Sequence, residues 1–188
     1  MRWIGILCLL MAAPAVLKPA PAQDSGPVVQ IRHLSIVSTD LPLTETQAIR
    51  QAMEGHSYPL LEIALRVQQL LGDQGYAKGH AEIVDLPTLL QSPPQTPATL
   101  SVRVIAGVKY RIEAIVIEGA ASFPRDEVLR LFTVRVGDLY NSSALGADLN
   151  RLNVFYSSRS YEHFAAVPAL QFNEVDHTVV IRVVVREG

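Results

Sequence analysis

Apolar and polar positions over residues 110–188 follow two rhythms, and the switches between them mark out a small fold. Residues 110–118 are rich in β-branched and apolar side chains and stop at Gly119, which predicts a strand running into a turn. Pro124, Asp126 and Glu127 then open a short helix, because proline and acids suit a first turn whose N–H groups lack partners. Gly137-Asp138 ends that pattern. Asn141 or Ser142 caps a longer helix in which Leu145, Leu149, Leu152 and Tyr156 recur along one face. Residues 157–160 read as a loop, followed by strands over 164–172 and 179–187 with Asn173-Glu174-Val175-Asp176 as the turn between them. The last strand is apolar on nearly both sides, as a central strand under helices should be. The one before it carries Pro168, and proline is confined to edges, strand starts and bulges. It is predicted to be an edge strand.

The same order of signals occupies residues 28–107. A shift of 81 positions lays Ile31, Leu34 and Ile36 on Ile112, Ile115 and Ile117, and Val102, Val104 and Gly107 on Val183, Val185 and Gly188. The offset grows to 82 at Gly55 and Gly137, and to 85 where Leu60, Ala64, Val67 and Tyr76 meet Leu145, Leu149, Leu152 and Tyr161. The gaps fall in loops, and the apolar phase survives them. This copy predicts a strand over 28–37, a helix over 44–53 with Thr44 and Gln47 as a capping box, and a helix over 59–71. Strands follow over 80–86 and 100–105, separated by a stiff proline loop at 91–97. A repeat of this length is a small domain rather than a solenoid unit. The expectation is an α+β chain of tandem β-α-α-β-β domains at 28–107 and 108–188, each with two helices on a three-stranded mixed sheet.

The N-terminus belongs to neither copy. Arg2 precedes an apolar stretch over 3–17 that Pro14 interrupts, and Ala20-Pro21-Ala22 supplies the small residues of a cleavage site. That pattern predicts a signal peptide over 1–22, then a short leader over 23–27. Its removal takes away Cys8, the only cysteine, along with Arg2 and Lys18, so the formal net charge moves from −2 to −4. Disulfides and thiolate chemistry are thereby excluded from the exported chain, and the basic footprint of a nucleic-acid binder is absent.

The residues of the second copy resemble the POTRA (polypeptide-transport-associated) domains of outer-membrane assembly and secretion proteins of the BamA and TamA kind. The resemblance runs through Tyr110-Arg111-Ile112, Gly119, Phe123 to Leu131, Val136-Gly137-Asp138, Tyr156, Tyr161 and the closing Val185-Arg186-Glu187-Gly188. The first copy shares Gly75-Tyr76 and the strand spacing, and Ser160 stands where the family usually has glycine. The resemblance implies a non-catalytic periplasmic module without cofactor or metal. Its partners would be unfolded or nascent outer-membrane or exported polypeptides, with a separately encoded outer-membrane β-barrel as a second candidate, since residues 28–188 are expected to hold two such domains and no barrel strands. Docking would proceed by strand addition at the edge strand, where Phe164, Ala165, Ala166, Val167 and Leu170 are the candidate contacts. Gly75, Tyr76, Gly119, Gly137, Tyr161, Glu187 and Gly188 are expected to be structural. An envelope-complex scaffold, or the barrel-less remnant of an assembly protein, is the alternative.

Catalytic constellations find no support. The histidines, at 33, 56, 80, 163 and 177, neither share metal-ligand spacing nor match between copies. No G-x-S-x-G or S-x-x-K motif supplies a nucleophile. Export is expected to leave a chain beginning near Gln23; N-terminal sequencing of periplasmic material checks this, and intact Met1 in the membrane fraction refutes it.

Overall fold

The computed structural model describes residues 26–84, 86–95 and 97–187, so the expected signal peptide, its cleavage site and Gly188 lie outside the described residues. Each half of the chain closes its own sheet. In the second half β5 (Arg111–Glu118), α4 (Arg125–Leu129), α5 (Ser142–Ser157), β6 (Ala165–Asn173) and β7 (Thr178–Arg186) follow in order. The strands lie β5-β7-β6, with β5 parallel and β6 antiparallel to β7. The apolar last strand is therefore central and the proline-bearing one is an edge, as the patterning implies. Val179, Ile181, Val183 and Val185 of β7 bury against Leu145, Leu152 and Tyr156 of α5. Asn141 caps that helix, its Oδ1 accepting from the Ala144 N–H at 2.7 Å.

The first half contains β1 (Val28–Val37), α1 (Leu43–Met53), β2 (Ser57–Pro59), α2 (Leu60–Asp73), β3 (His80–Ile83), α3 (Leu86–Gln91) and β4 (Ala98–Ile105). Its sheet runs β2-β1-β4-β3, with β1 parallel to β4. Even the bulge repeats: register slips between Ile31 and His33 in β1, and between Ile112 and Ala114 in β5. Each sheet has its own core, one centred on Ile31, Leu34, Ile63 and Val102, the other on Ile112, Leu152, Tyr156 and Ile181.

Three local expectations are corrected. The sheet of the first half has four strands rather than three, because Ser57–Pro59 adds to the start of β1. The strand expected over 80–86 stops at Ile83, and α3 replaces its end. Pro87 cannot donate to a ladder but suits the first turn of a helix, and Leu86 and Leu89 reach the core from there. The capping box at Thr44 does not form. α1 begins one residue earlier, with Pro42 at the N-cap and no side-chain cap, while the Thr46 hydroxyl donates back to the Pro42 carbonyl.

One buried group departs from the repeat. Asp148 of α5 is fully buried at the position where the first half has Ile63. Its carboxylate accepts from the N–H and Oγ of Thr133 at 2.8 Å each and from the Val134 N–H at 3.0 Å, and it pairs with Arg151. α4 is five residues long where α1 has eleven, and this carboxylate holds the loop that replaces the missing turns.

The two sheets meet through polar contacts around the end of α2. The Asp73 carboxylate accepts from Ser142 Oγ at 2.7 Å, Ser143 N–H at 2.8 Å and Ser143 Oγ at 2.7 Å, so an acid from the first half sits on the N-terminus of α5. Tyr110 N–H donates to the Gly75 carbonyl, Lys109 pairs with Glu45, and Lys78 pairs with Glu174.

Two glycines in left-handed geometry should respond differently to alanine. At Gly119 (φ +84°) a Cβ would lie 2.2 Å from the Val185 carbonyl oxygen, whereas at Gly137 (φ +91°) it would meet nothing within 4 Å. Gly119→Ala is expected to cost on the order of 3 kcal/mol, combining backbone strain with a clash that the sheet cannot relieve. Gly137→Ala should cost only the strain, about 1 kcal/mol. Equilibrium urea unfolding measures both, and equal losses would contradict the close approach.

Candidate strand-docking edge

β6 pairs with β7 from Ala165–Arg186 to Asn173–Thr178 without interruption. In such a ladder the N–H and C=O of a residue point to the same side, and the side alternates along the strand. Arg111 N–H donates to the His177 carbonyl, which turns the odd-numbered residues of β7 toward β5 and the even-numbered ones toward β6. Pro168 lies opposite Val183, an odd-numbered residue, and so faces the free edge, where its missing N–H costs no ladder bond. The register therefore directs the backbone groups of Ala166, Leu170 and Phe172 outward, and those of Ala165, Val167, Ala169 and Gln171 into the sheet.

The candidate contacts separate accordingly. Ala165 and Val167 present exposed side chains on the open sheet face, Val167 at 59% exposure, but their backbone groups belong to the ladder with β7. Ala166 and Leu170 have half-buried side chains, with Leu170 packed against the core, and free backbone groups. Phe164 lies just before the strand. Its N–H donates to the Tyr161 carbonyl and its ring stacks on Tyr156 at 4.2 Å, so it anchors the start of the edge. Consecutive outward donors are found only at Leu170 and Phe172. Phe172 is absent from the sequence-based set; the parity of Pro168 is the signal that points to it. Its ring packs edge-on against Tyr110 at 4.8 Å, under the Lys78 ammonium at 4.7 Å.

The structural residues frame this strand. Gly75, Gly119 and Gly137 all adopt positive φ, and Ser160 does so without being glycine, at φ 68°. Tyr76 is buried with its hydroxyl donating to Glu45 at 2.5 Å; burial, then that carboxylate, pushes its ionisation well above the usual range. Tyr161 is only half-buried, against Phe123 and Tyr156. Glu187, just past β7, accepts from the Ser122 N–H at 3.0 Å, from Ser122 Oγ at 2.8 Å and from the Tyr156 hydroxyl at 3.0 Å. In the first half the corresponding segments are joined by Asp40, which accepts from Ala106 N–H at 3.2 Å and Gly107 N–H at 2.8 Å. Among the described residues no group of three or more His, Cys, Asp and Glu side chains could hold a metal ion, and no helix is long and apolar enough to cross a membrane.

The fold thus defined is that of tandem POTRA domains. It superposes on the crystal structure of Haemophilus influenzae BamA POTRA3-5 with a TM-score of 0.63, at 14% identity, over 90% of this chain and 70% of that one. BamA from Haemophilus ducreyi lacking POTRA domains 1-3 gives a TM-score of 0.60 at 18% identity, over 85% of this chain and 29% of that one. The POTRA family model, described as surface antigen variable number repeat, matches residues 110–188. No curated protein sequence matches the chain.

The Ser122 N–H first, then the Ser122 and Tyr156 hydroxyls, hold the Glu187 carboxyl below its usual range. A depressed carboxyl contributes stability above its unfolded value of 4.5 and loses it as pH falls through the lower folded value. Glu187→Gln is expected to lower Tm at neutral pH and to flatten the decline of Tm between about pH 5 and 3. Parallel slopes for parent and variant would show that Glu187 is not the group responsible.

Proposed function

We propose that the chain is a non-catalytic periplasmic module that holds extended outer-membrane or exported polypeptides by strand addition to β6. The observation that carries this reading is an edge strand of nine residues with outward N–H and C=O groups at Ala166, Leu170 and Phe172. An added strand would satisfy those groups through its own backbone, so recognition should tolerate many sequences. The POTRA fold, shared with the BamA structures, supports a place in outer-membrane protein assembly, with a separately encoded β-barrel as the complementary component. Ala165, Val167 and Ala169 leave the open face beside the incoming strand with small side chains, which gives room for large residues on the client.

Binding is expected to be weak, on the order of micromolar to millimolar. In an NMR titration with a peptide copied from a membrane-barrel strand, the Leu170 and Phe172 amides should shift most. Ala166→Pro removes one outward donor and should weaken binding about threefold with the melt unchanged, roughly the net worth of a single hydrogen bond. Ala165→Pro should instead break a bond to β7 and lower Tm. Perturbations confined to the helices, or none at millimolar peptide, would refute the edge as the site.

A further inference from the structure

We infer that β5 offers a second strand-docking edge, opposite β6 on the same sheet. This rests on strand addition as the mode of binding, but on different residues. The β5–β7 register turns the backbone groups of Ile115 and Ile117 away from the sheet, just as Ile112 turns outward to exchange bonds with Gly137 and Asp138. Beyond Ile112, among the described residues, no backbone or side-chain partner meets the N–H or C=O of Ile115 or Ile117.

The first half shows what a closed version of this edge looks like. Leu34 corresponds to Ile115, and both of its outward groups are occupied by side chains of α1 and its C-cap. Its N–H donates to Glu54 Oε1 at 2.9 Å, and its carbonyl accepts from Arg50 Nε at 3.0 Å. The other edge of that sheet is also short and guarded, with Gln68 Nε2 donating to the Ala81 carbonyl at 3.4 Å. Side chains laid on an edge in this way keep foreign strands off. The second half lacks the device because α4 ends at Leu129, without the last turns that carry Arg50 in α1 and lead to Glu54 at its C-cap. One domain is sealed at the centre of its edge; the other is open on both sides.

The occupant that fits is an extended polypeptide segment, apolar on both faces for about four residues and followed by a basic side chain. Half-buried Ile115 and Ile117 line one side of the edge and half-buried Ala114 and Val116 the other, so an added strand meets apolar surface above and below. Exposed Glu113 and Glu118 bound the stretch; Arg182 pairs with Glu118 and leaves Glu113 as the acid in excess. A second copy of this chain on the same edge would bring four such carboxylates onto one ribbon, which disfavours self-pairing.

Amide hydrogen exchange on the whole exported chain, with a Val- and Thr-rich peptide flanked by lysines, tests this. The Ile115 and Ile117 amides should slow at least tenfold, in addition to Leu170 and Phe172, with two peptides bound per chain and weaker protection from a glutamate-flanked peptide. Ile117→Pro, checked for a cooperative melt, should return the stoichiometry to one, while Arg50→Ala with Glu54→Ala should open a new protected site at Leu34. Protection at Leu170 and Phe172 alone, with one peptide bound, overturns the second edge and leaves the β6 reading intact. Protection at neither edge overturns both. Slowed exchange at Ile115 that grows with protein concentration in the absence of peptide assigns the edge to a second copy and also overturns the proposal.

Discussion

Everything in this chain follows from parallel pairing between the first and last strands of each half. A parallel pair cannot be closed by a hairpin, so the chain must cross over, through α1, α2 and α3 in the first half and α4 and α5 in the second. The last strand then takes the centre, because β1 or β5 lies on one side of it and the strand that precedes it returns on the other. That returning strand has a partner on one side only. The open edge of β6 is thus a topological consequence of the fold rather than an addition to it, and Pro168 is compatible with the chain only because of it.

The architecture was legible because its signals are periodic. The apolar faces of α2, α5 and β7, the glycine turns and the offset between copies all survive without knowledge of distant contacts. The edge assignment followed from a single proline. What escaped was decided by tertiary context. Asp148 borders the apolar stripe of α5, three residues after Leu145 and four before Leu152, and its burial as a charged group depends on Thr133 and Val134 of a loop some fifteen residues earlier. The missing N–H of Pro87 suits the end of a strand and the first turn of a helix alike, and the helix is what forms. The alternation of backbone groups along β6 needed the bond from Arg111 to His177, which no local pattern encodes. That alternation separates Ala165 and Val167, whose backbones are spent on the sheet, from Leu170 and Phe172.

The joint between the sheets draws on the same economy of polar groups. Asp73 ends one helix and caps another through Ser142 and Ser143, and Gly72 leaves the room this requires, since a Cβ there would fall 2.8 Å from Ser142 Oγ. Lys78 reaches Glu174 while lying over Phe172, so the C-terminal end of the β6 edge is bordered by a residue of the first half. A client that occupies Leu170 and Phe172 would lie beside that joint, and its binding would respond to how firmly the two halves are held.

The carboxylate that ties the last strand to the loop after the first has changed sides between copies. In the first half Asp40 on the loop reaches the strand end at Ala106 and Gly107; in the second, Glu187 at the strand end reaches Ser122 on the loop. Either arrangement closes its own domain, but the two are not interchangeable. Genetic exchange between the copies within a domain would yield a product with two acids facing one another and another with none. A loop or strand end grafted from one half onto the other would therefore have to carry its partner segment with it, so each half keeps its closure as a matched pair.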